Sequence, residues 1–178
     1  SDYTASIIGA ALQAEAIEIW TDVDGVLTAD PRFVDEAQSI AQLSYMEAME
    51  LSHFGAKVIF PATMLPAMTK QVPIWVKNTF NPSHAGTCIS QFSEKGNGFI
   101  KGITSLKNIS LINVEGSGMV GVAGVSARLF STLSQHKINV ILISQASSEH
   151  SICVGVMQTD EEHACTFLKE TFRYELES

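Results

Sequence analysis

The polar run Thr21-Asp22-Val23-Asp24-Gly25 follows directly on Ile17-Glu18-Ile19-Trp20, whose strict alternation of apolar and polar residues predicts a short strand. Ligands of open α/β sheets bind at the carboxyl ends of strands, so hydroxyl and carboxylate groups placed there are candidates for holding a small polar molecule. A second constellation is the glycine turn Gly116-Ser117-Gly118-Met119-Val120-Gly121, set before a helix pattern. Exposed backbone N–H groups in such a turn can receive the carboxylate of an amino acid. Plainer readings stand beside both. Asp and Gly are ordinary turn formers, and a glycine turn can be only a tight strand-to-helix connection. Asp2 at a helix start can be a cap, and Lys57, just after Gly55, can complement a helix dipole.

These groups need a scaffold, and the chain can build one. Its 178 residues are 46% hydrophobic and 17% charged, which suits one large or two modest globular domains. The net charge of −8 gives no basic footprint for nucleic acid and disfavours an anionic membrane surface. The apolar run Val140–Ile143 is far too short to cross a bilayer. Cys88, Cys153 and Cys165 show no CxxC spacing and no His neighbours, as expected of reduced thiols in a cytoplasmic protein, with Cys153 in the core. The five histidines are scattered, and no metal site is expected. The chain opens at Ser1-Asp2-Tyr3-Thr4 without an initiator methionine and is expected to be a piece of a longer protein.

Helix and strand patterns alternate through the first half. Residues 4–15 read as an amphipathic helix and 17–20 as a strand. Residues 44–54 read as a helix, with Ser44 and Glu47 forming a capping box and Gly55 at the C′ position. Residues 57–60 then read as a strand, 61–70 as a helix and 74–77 as a strand, an α/β layered arrangement. The punctuation Ser93–Gly98 is the expected boundary between domains 1–92 and 93–178. Beyond it come strand 109–114, helix 125–136, strands 139–144 and 151–157, and helix 161–174. That is βαββα, one strand short of a ferredoxin-like βαββαβ unit.

Several motifs in order resemble the aspartate kinases of the amino-acid kinase superfamily. Ser1-Asp2-Tyr3-Thr4 resembles the end of an RGGSDYT motif, Trp20–Gly25 a WTDVxG motif, Asp30-Pro31-Arg32 a DPR motif and Phe54–Val58 an FGAKV motif. Gly118–Gly121 and Ile143–Glu149 resemble the first ACT domain of the threonine-sensitive branch, which includes the bifunctional aspartate kinase–homoserine dehydrogenases. The resemblance implies the C-terminal, nucleotide-binding part of a kinase α/β sandwich, followed by an ACT domain whose last strand is expected to be missing. It implies transfer of the ATP γ-phosphoryl group, with Mg, to the β-carboxylate of L-aspartate. Lys57 and Arg32 would meet the phosphates. Thr21 and Asp22 would hydrogen-bond the nucleotide beside the Val58 backbone, and Asp2 would organise the catalytic end with Ser1 next to it. Leu27 stands where many relatives carry a tyrosine that packs on the nucleotide, and Phe60-Pro61 where His-Pro is usual. The family's Lys-Phe-Gly-Gly-Thr-Ser phosphate loop is absent from the chain, so the chain alone is expected not to turn over.

For the ACT half, the resemblance implies a homodimer paired through ACT domains and an amino-acid effector at the interface. Met119, Gly121, Asn139, Val140, Ile141 and Gln145 are its expected contacts. Gln145 corresponds to the glutamine used for threonine, since its amide can both donate to and accept from a hydroxyl. Ile141 stands where lysine-sensitive relatives place an aspartate, and burying an ammonium without that partner costs on the order of several kcal/mol. Threonine is therefore expected over lysine. Two alternatives remain at this point. One is a non-catalytic amino-acid sensor with a kinase-like docking half; the other is an unrelated α/β protein with an ACT-like tail. Retained Thr21, Asp22, Arg32 and Lys57 favour the enzyme reading.

Overall fold

The computed structural model describes residues 1–53, 58–93, 100–116, 119, 121–145 and 151–177. The chain separates into two compact units, Ser1–Leu106 and Lys107–Ser178.

In the first unit, helix α1 (Asp2–Ala11) leads into strand β1 (Ile17–Thr21). Then follow β2 (Gln42–Ser44), α2 (Tyr45–His53), α3 (Pro61–Lys70), β3 (Ile74–Asn78) and β4 (Thr87–Ser90). The sheet order is β1-β3-β4-β2, with β1 parallel to β3, β2 parallel to β4, and β3 antiparallel to β4. Alternate strand residues Ile17, Ile19, Ile74, Val76 and Ile89 turn inward and form the core with Leu43, Met64 and Ala67. Helix α1 presents the small residues Ser6, Gly9 and Ala10 to this interior. Gly9 is so close to Ile17 that a Cβ would lie 2.8 Å from its Cδ1.

The expected capping box of α2 forms as read: the Ser44 N–H donates to Glu47 Oε2 at 2.7 Å and the Glu47 N–H to Ser44 Oγ at 3.2 Å. Gly55, its expected C′ residue, lies outside the described residues. The Glu47 carboxylate also accepts from Ser93 Oγ at 2.8 Å and pairs with Lys101 at 3.1 Å. Residues 101–103 continue along the same unit, with the Ile103 N–H donating to Thr28 O at 2.8 Å. Burial alone would raise the Glu47 carboxyl, but the hydrogen bonds from Ser44, Ser93 and Lys101 outweigh it and hold it at about 2. A carboxyl depressed on folding stabilises above its ordinary value of 4.5, and that contribution is lost as pH falls toward about 2. Glu47→Gln is therefore expected to flatten the acid-side loss of stability in that window, as read by urea midpoints at stepped pH. An unchanged pH slope would exclude Glu47 as its source.

Three expectations need correction here. Residues 58–60 are not a strand: Val58 and Ile59 form a turn and bend, and Phe60 is the extended residue before Pro61 at the start of α3. Proline disfavours helix in the residue before it and suits the first helical turn, so the apolar triplet leads into a helix. Ile59 is nonetheless buried, which is why its hydrophobicity imitated a strand. The first helix spans Asp2–Ala11 rather than 4–15, because Leu12 and the positive φ of Gln13 turn the chain toward β1. Strands β2 and β4 were not anticipated, being three and four residues long.

The second unit runs β5 (Ile109–Glu115), α4 (Val125–Gln135), β6 (Leu142–Gln145), β7 (Ser151–Met157), a 3-10 turn (Gln158–Asp160), α5 (Glu161–Thr171) and α6 (Arg173–Leu176). The sheet is antiparallel throughout, in the order β5-β7-β6. Ile152, Val154 and Val156 of β7 form one core with Leu129 and Leu133 of α4 and Ala164, Leu168 and Phe172 at the α5 end. The βαββα order is as expected, with local corrections. Asn139–Ile141 precede β6 rather than opening it, although the Ile141 N–H donates to Gly155 O at 2.8 Å. Helix 161–174 is broken at Phe172, and α6 is fastened to α4 by Arg128. That guanidinium pairs with Glu175, donates to Thr171 O at 2.6 Å and lies over the Phe172 ring. Cys153 belongs to the alternate row with Ser151 and Gly155, away from core residues Ile152 and Val154, and is half-buried rather than core.

Candidate functional site

In the first unit the site grows from the carboxyl ends of the parallel pair β1 and β3. Their register puts Thr21 beside Asn78, so the connections after each strand leave the sheet together. Thr21 Oγ1 donates to Asp22 Oδ1 at 3.1 Å, and Thr21 O accepts from the Thr79 N–H at 2.8 Å. Asp22 is exposed and Thr21 half-buried at this strand end. Ser1 Oγ donates to Asp2 Oδ1 at 2.9 Å at the start of α1.

The chain then makes a hairpin-like excursion from Val26 to Ile40. Its limbs are joined by Ile40 N–H to Val26 O at 2.8 Å and Thr28 N–H to Gln38 O at 2.8 Å. Its base is anchored by buried Thr87, whose Oγ1 accepts from the Val26 N–H at 2.8 Å and donates to Ile40 O at 2.6 Å. Arg32 sits toward the far end, its side chain 79% exposed. The guanidinium is forked onto Asp30, with Nε 3.0 Å from Oδ1 and Nη2 2.6 Å from Oδ2, and this pairing raises the Arg32 pKa. Val58 lies in the turn before α3 and packs on the core. Lys57 lies outside the described residues.

Sequence reasoning did not single out the groups that hold this region together. Asp24 Oδ1 accepts from Asn78 Nδ2 at 2.8 Å and from Asn81 Nδ2 at 3.1 Å, and Asp24 O accepts from Ser39 Oγ at 2.6 Å. Asp24 was visible inside the Thr21–Gly25 run, whereas Asn78, Asn81 and Thr87 become neighbours only through sheet pairing. Among the described residues, no group of three or more His, Cys, Asp or Glu could hold a metal ion. No described helix is long and apolar enough to cross a membrane.

In the second unit, a pocket of about 290 Å³ is lined by Met119, residues 121–126, Gln145 and Ile152. It therefore brings together Met119, Gly121 and Gln145 and adds the first turn of α4. Gly124, with φ +97°, is the N-cap that turns the chain into that helix. The first N–H groups of a helix have no intrahelical partners and favour an anion. Among the described residues, no carboxylate lines this pocket. Asn139 and Val140 instead line a different hollow of about 440 Å³, with Phe130, Lys137 and Ile138, and Ile141 lines neither.

Residues 1–78 match the model of the amino acid kinase family and residues 112–172 that of the ACT domain. A bifunctional aspartokinase/homoserine dehydrogenase of Haemophilus influenzae is 48% identical over 176 residues, 99% of the chain and 22% of that protein. The chloroplastic bifunctional aspartokinase/homoserine dehydrogenase 1 of Arabidopsis thaliana is 44% identical over 181 residues, 99% of the chain and 20% of that protein. The chain thus spans about a fifth of the length of these curated relatives. Among solved structures, E. coli aspartokinase III in complex with lysine and aspartate is 34% identical with a TM-score of 0.69, over 89% of the chain and 35% of that protein. The Clostridium acetobutylicum aspartate kinase is 28% identical with a TM-score of 0.59, over 97% and 57%.

Proposed function

Because the chain belongs to the aspartate kinase family, an amino acid kinase segment followed by an ACT domain, we propose that it serves phosphoryl transfer from ATP to the β-carboxylate of L-aspartate. The observation that supports this most is the pair Thr21 and Asp22 at the carboxyl end of β1, on the connection that also carries Arg32. In this reading Thr21 and Asp22 hold the nucleotide by hydrogen bonds, next to the Val58 backbone. Arg32 and Lys57 meet phosphate oxygens. Asp2, with Ser1, stands at the catalytic end. The donor set fits a magnesium nucleotide, with a hydroxyl and a carboxylate at the strand end and an exposed planar cation on the same loop. Exposed ion pairs contribute little, so the Arg32 guanidinium can pass from Asp30 to phosphate at small cost. When bound, ATP supplies the transferred group and magnesium offsets its charge, while this chain's residues position the nucleotide.

The ACT unit we read as the sensor, with threonine as effector. The effector carboxylate would meet the first turn of α4, and its hydroxyl would meet the Gln145 amide. Lysine is disfavoured because Ile141 stands where lysine-sensitive relatives place the aspartate that would receive its ammonium. Strand β6 is exposed along its whole length and, among the described residues, forms an edge of the sheet against which a second ACT domain can pair in a homodimer.

Thermal unfolding of the chain with threonine, lysine or methionine, each alone, tests the sensor. Saturation at about 100 times the dissociation constant adds roughly 2.7 kcal/mol, enough to raise the midpoint by several degrees. A shift with threonine only is expected. A lysine-only shift would overturn the assignment, and no shift would show that this pocket does not suffice.

A further inference from the structure

We infer that Asp24 is a positioning residue of the nucleotide subsite, setting the direction of Thr21 and Asp22 through two asparagines rather than by touching the ligand. The inference rests on the nucleotide reading given above.

Beyond the end of β1 at Thr21, residues 22–25 have no regular structure of their own to hold them. What fixes it comes from the next parallel strand. Asn78 closes β3, is only 9% exposed, and is oriented by its own Oδ1, which accepts the Phe80 N–H at 2.9 Å. Its Nδ2 is thereby directed to Asp24 Oδ1, and Asn81 Nδ2 reaches the same oxygen from the following loop. On the other side, Ser39 Oγ donates to the Asp24 carbonyl and ties down the returning limb of the Val26–Ile40 excursion. One residue therefore joins the β1 connection, the β3 connection and the excursion that carries Arg32. Thr21 and Asp22 lie within three residues of it.

Both asparagine amides converge on a single oxygen. Nothing in that geometry calls for charge, since an amide carbonyl in the same place can accept both bonds. A residue that bound a cation or a phosphate-bridging metal would instead depend on its negative charge. The two roles separate by substitution: Asp24→Asn keeps the acceptor and removes the charge, while Asp24→Leu removes both.

The experiment is titration of Mg-ADP into the 178-residue chain and its variants by calorimetry, with thermal midpoints recorded for each. Asp24→Leu is expected to weaken binding tenfold or more, on the order of two lost hydrogen bonds. Asp24→Asn is expected to rescue binding to within about threefold of the unmodified chain. Asn81→Ala, a milder change that does not depend on the leucine variant folding, is expected to weaken binding about fivefold while leaving the midpoint nearly in place. If Asp24→Asn binds as poorly as Asp24→Leu, charge is required and the positioning role is overturned. It is also overturned if Asn81→Ala binds normally while Asp22→Ala does not. Failure of the unmodified chain to bind, or indifference to Asp22→Ala, would instead remove the nucleotide reading, and the role of Asp24 with it.

Discussion

Gly25→Ala is expected to lower the thermal midpoint of the first unit by roughly 10–20 °C, corresponding to about 3 kcal/mol in a domain of this size. Gly25 has φ +108°, a conformation that L side chains rarely adopt. A Cβ there would also collide with Thr87 Oγ1 and lie 2.9 Å from the Thr87 backbone nitrogen. Thr87 cannot yield cheaply, because its hydroxyl is the joint that bonds Val26 and Ile40 at the base of the excursion. The mutation thus combines backbone strain with the loss of a buried hydrogen-bonded anchor. Both tryptophans, Trp20 and Trp75, lie in this unit on neighbouring strands, so intrinsic fluorescence follows its unfolding directly. A midpoint within about 2 °C of the unmodified chain would show that the loop can relax and that neither strain nor Thr87 governs its shape.

The second large effect is expected in the ACT unit. Leu133→Ala should cost about 2–5 kcal/mol, the range for deleting a buried leucine side chain. Leu133 is 1% exposed and packs in the cluster that joins α4 to β7 and α5. Its carbonyl also accepts the Ile138 N–H at 2.9 Å, the bond that ends α4 before the chain turns toward β6. A cavity there unseats the helix whose opposite end lines the pocket with Met119 and Gln145. Amide exchange at Ile152, Val154 and Val156 is the direct measure, and protection should fall in the variant. Unchanged protection there would mean that α4 is not what secures β7.

The elements read well where local signals were strong. Strand β7 has the expected ends, because Ser151–Met157 alternates buried and less buried residues up to its last apolar pair. Helix α3 is announced by Pro61, and α2 by a capping box that forms as written. What failed was short or decided elsewhere. Gln42–Ser44 and Thr87–Ser90 are strands because each completes the other's backbone bonds, with 45 residues lying between the partners Leu43 and Ile89. No window around either one contains that information. Val58-Ile59-Phe60 has the apolar content of a strand but no partner strand in the sheet, and the following proline fixes its conformation. The candidate site shows the same division. Thr21, Asp22 and Arg32 stand out by motif, whereas Asn78 and Asn81 meet Asp24 only because β3 and the loop after it lie beside the end of β1. In the ACT unit, Met119, Gly121 and Gln145 meet at one pocket. Asn139 and Val140 face another hollow, because the chain has not yet entered β6 when it passes them.

The pairing of β1 with β3 also sets the order in which the first unit can assemble. Ile17 finds its partner at Ile74, so 57 positions of chain must close before the first rung of that ladder exists. Among the described residues, β1 pairs with β3 and with no strand nearer in sequence. The ladder therefore cannot form as a local hairpin, although α1 already lies against Ile17 through Gly9. Pairing of β1 with β3 is consequently a long-range contact, of the kind that slows folding relative to local turns.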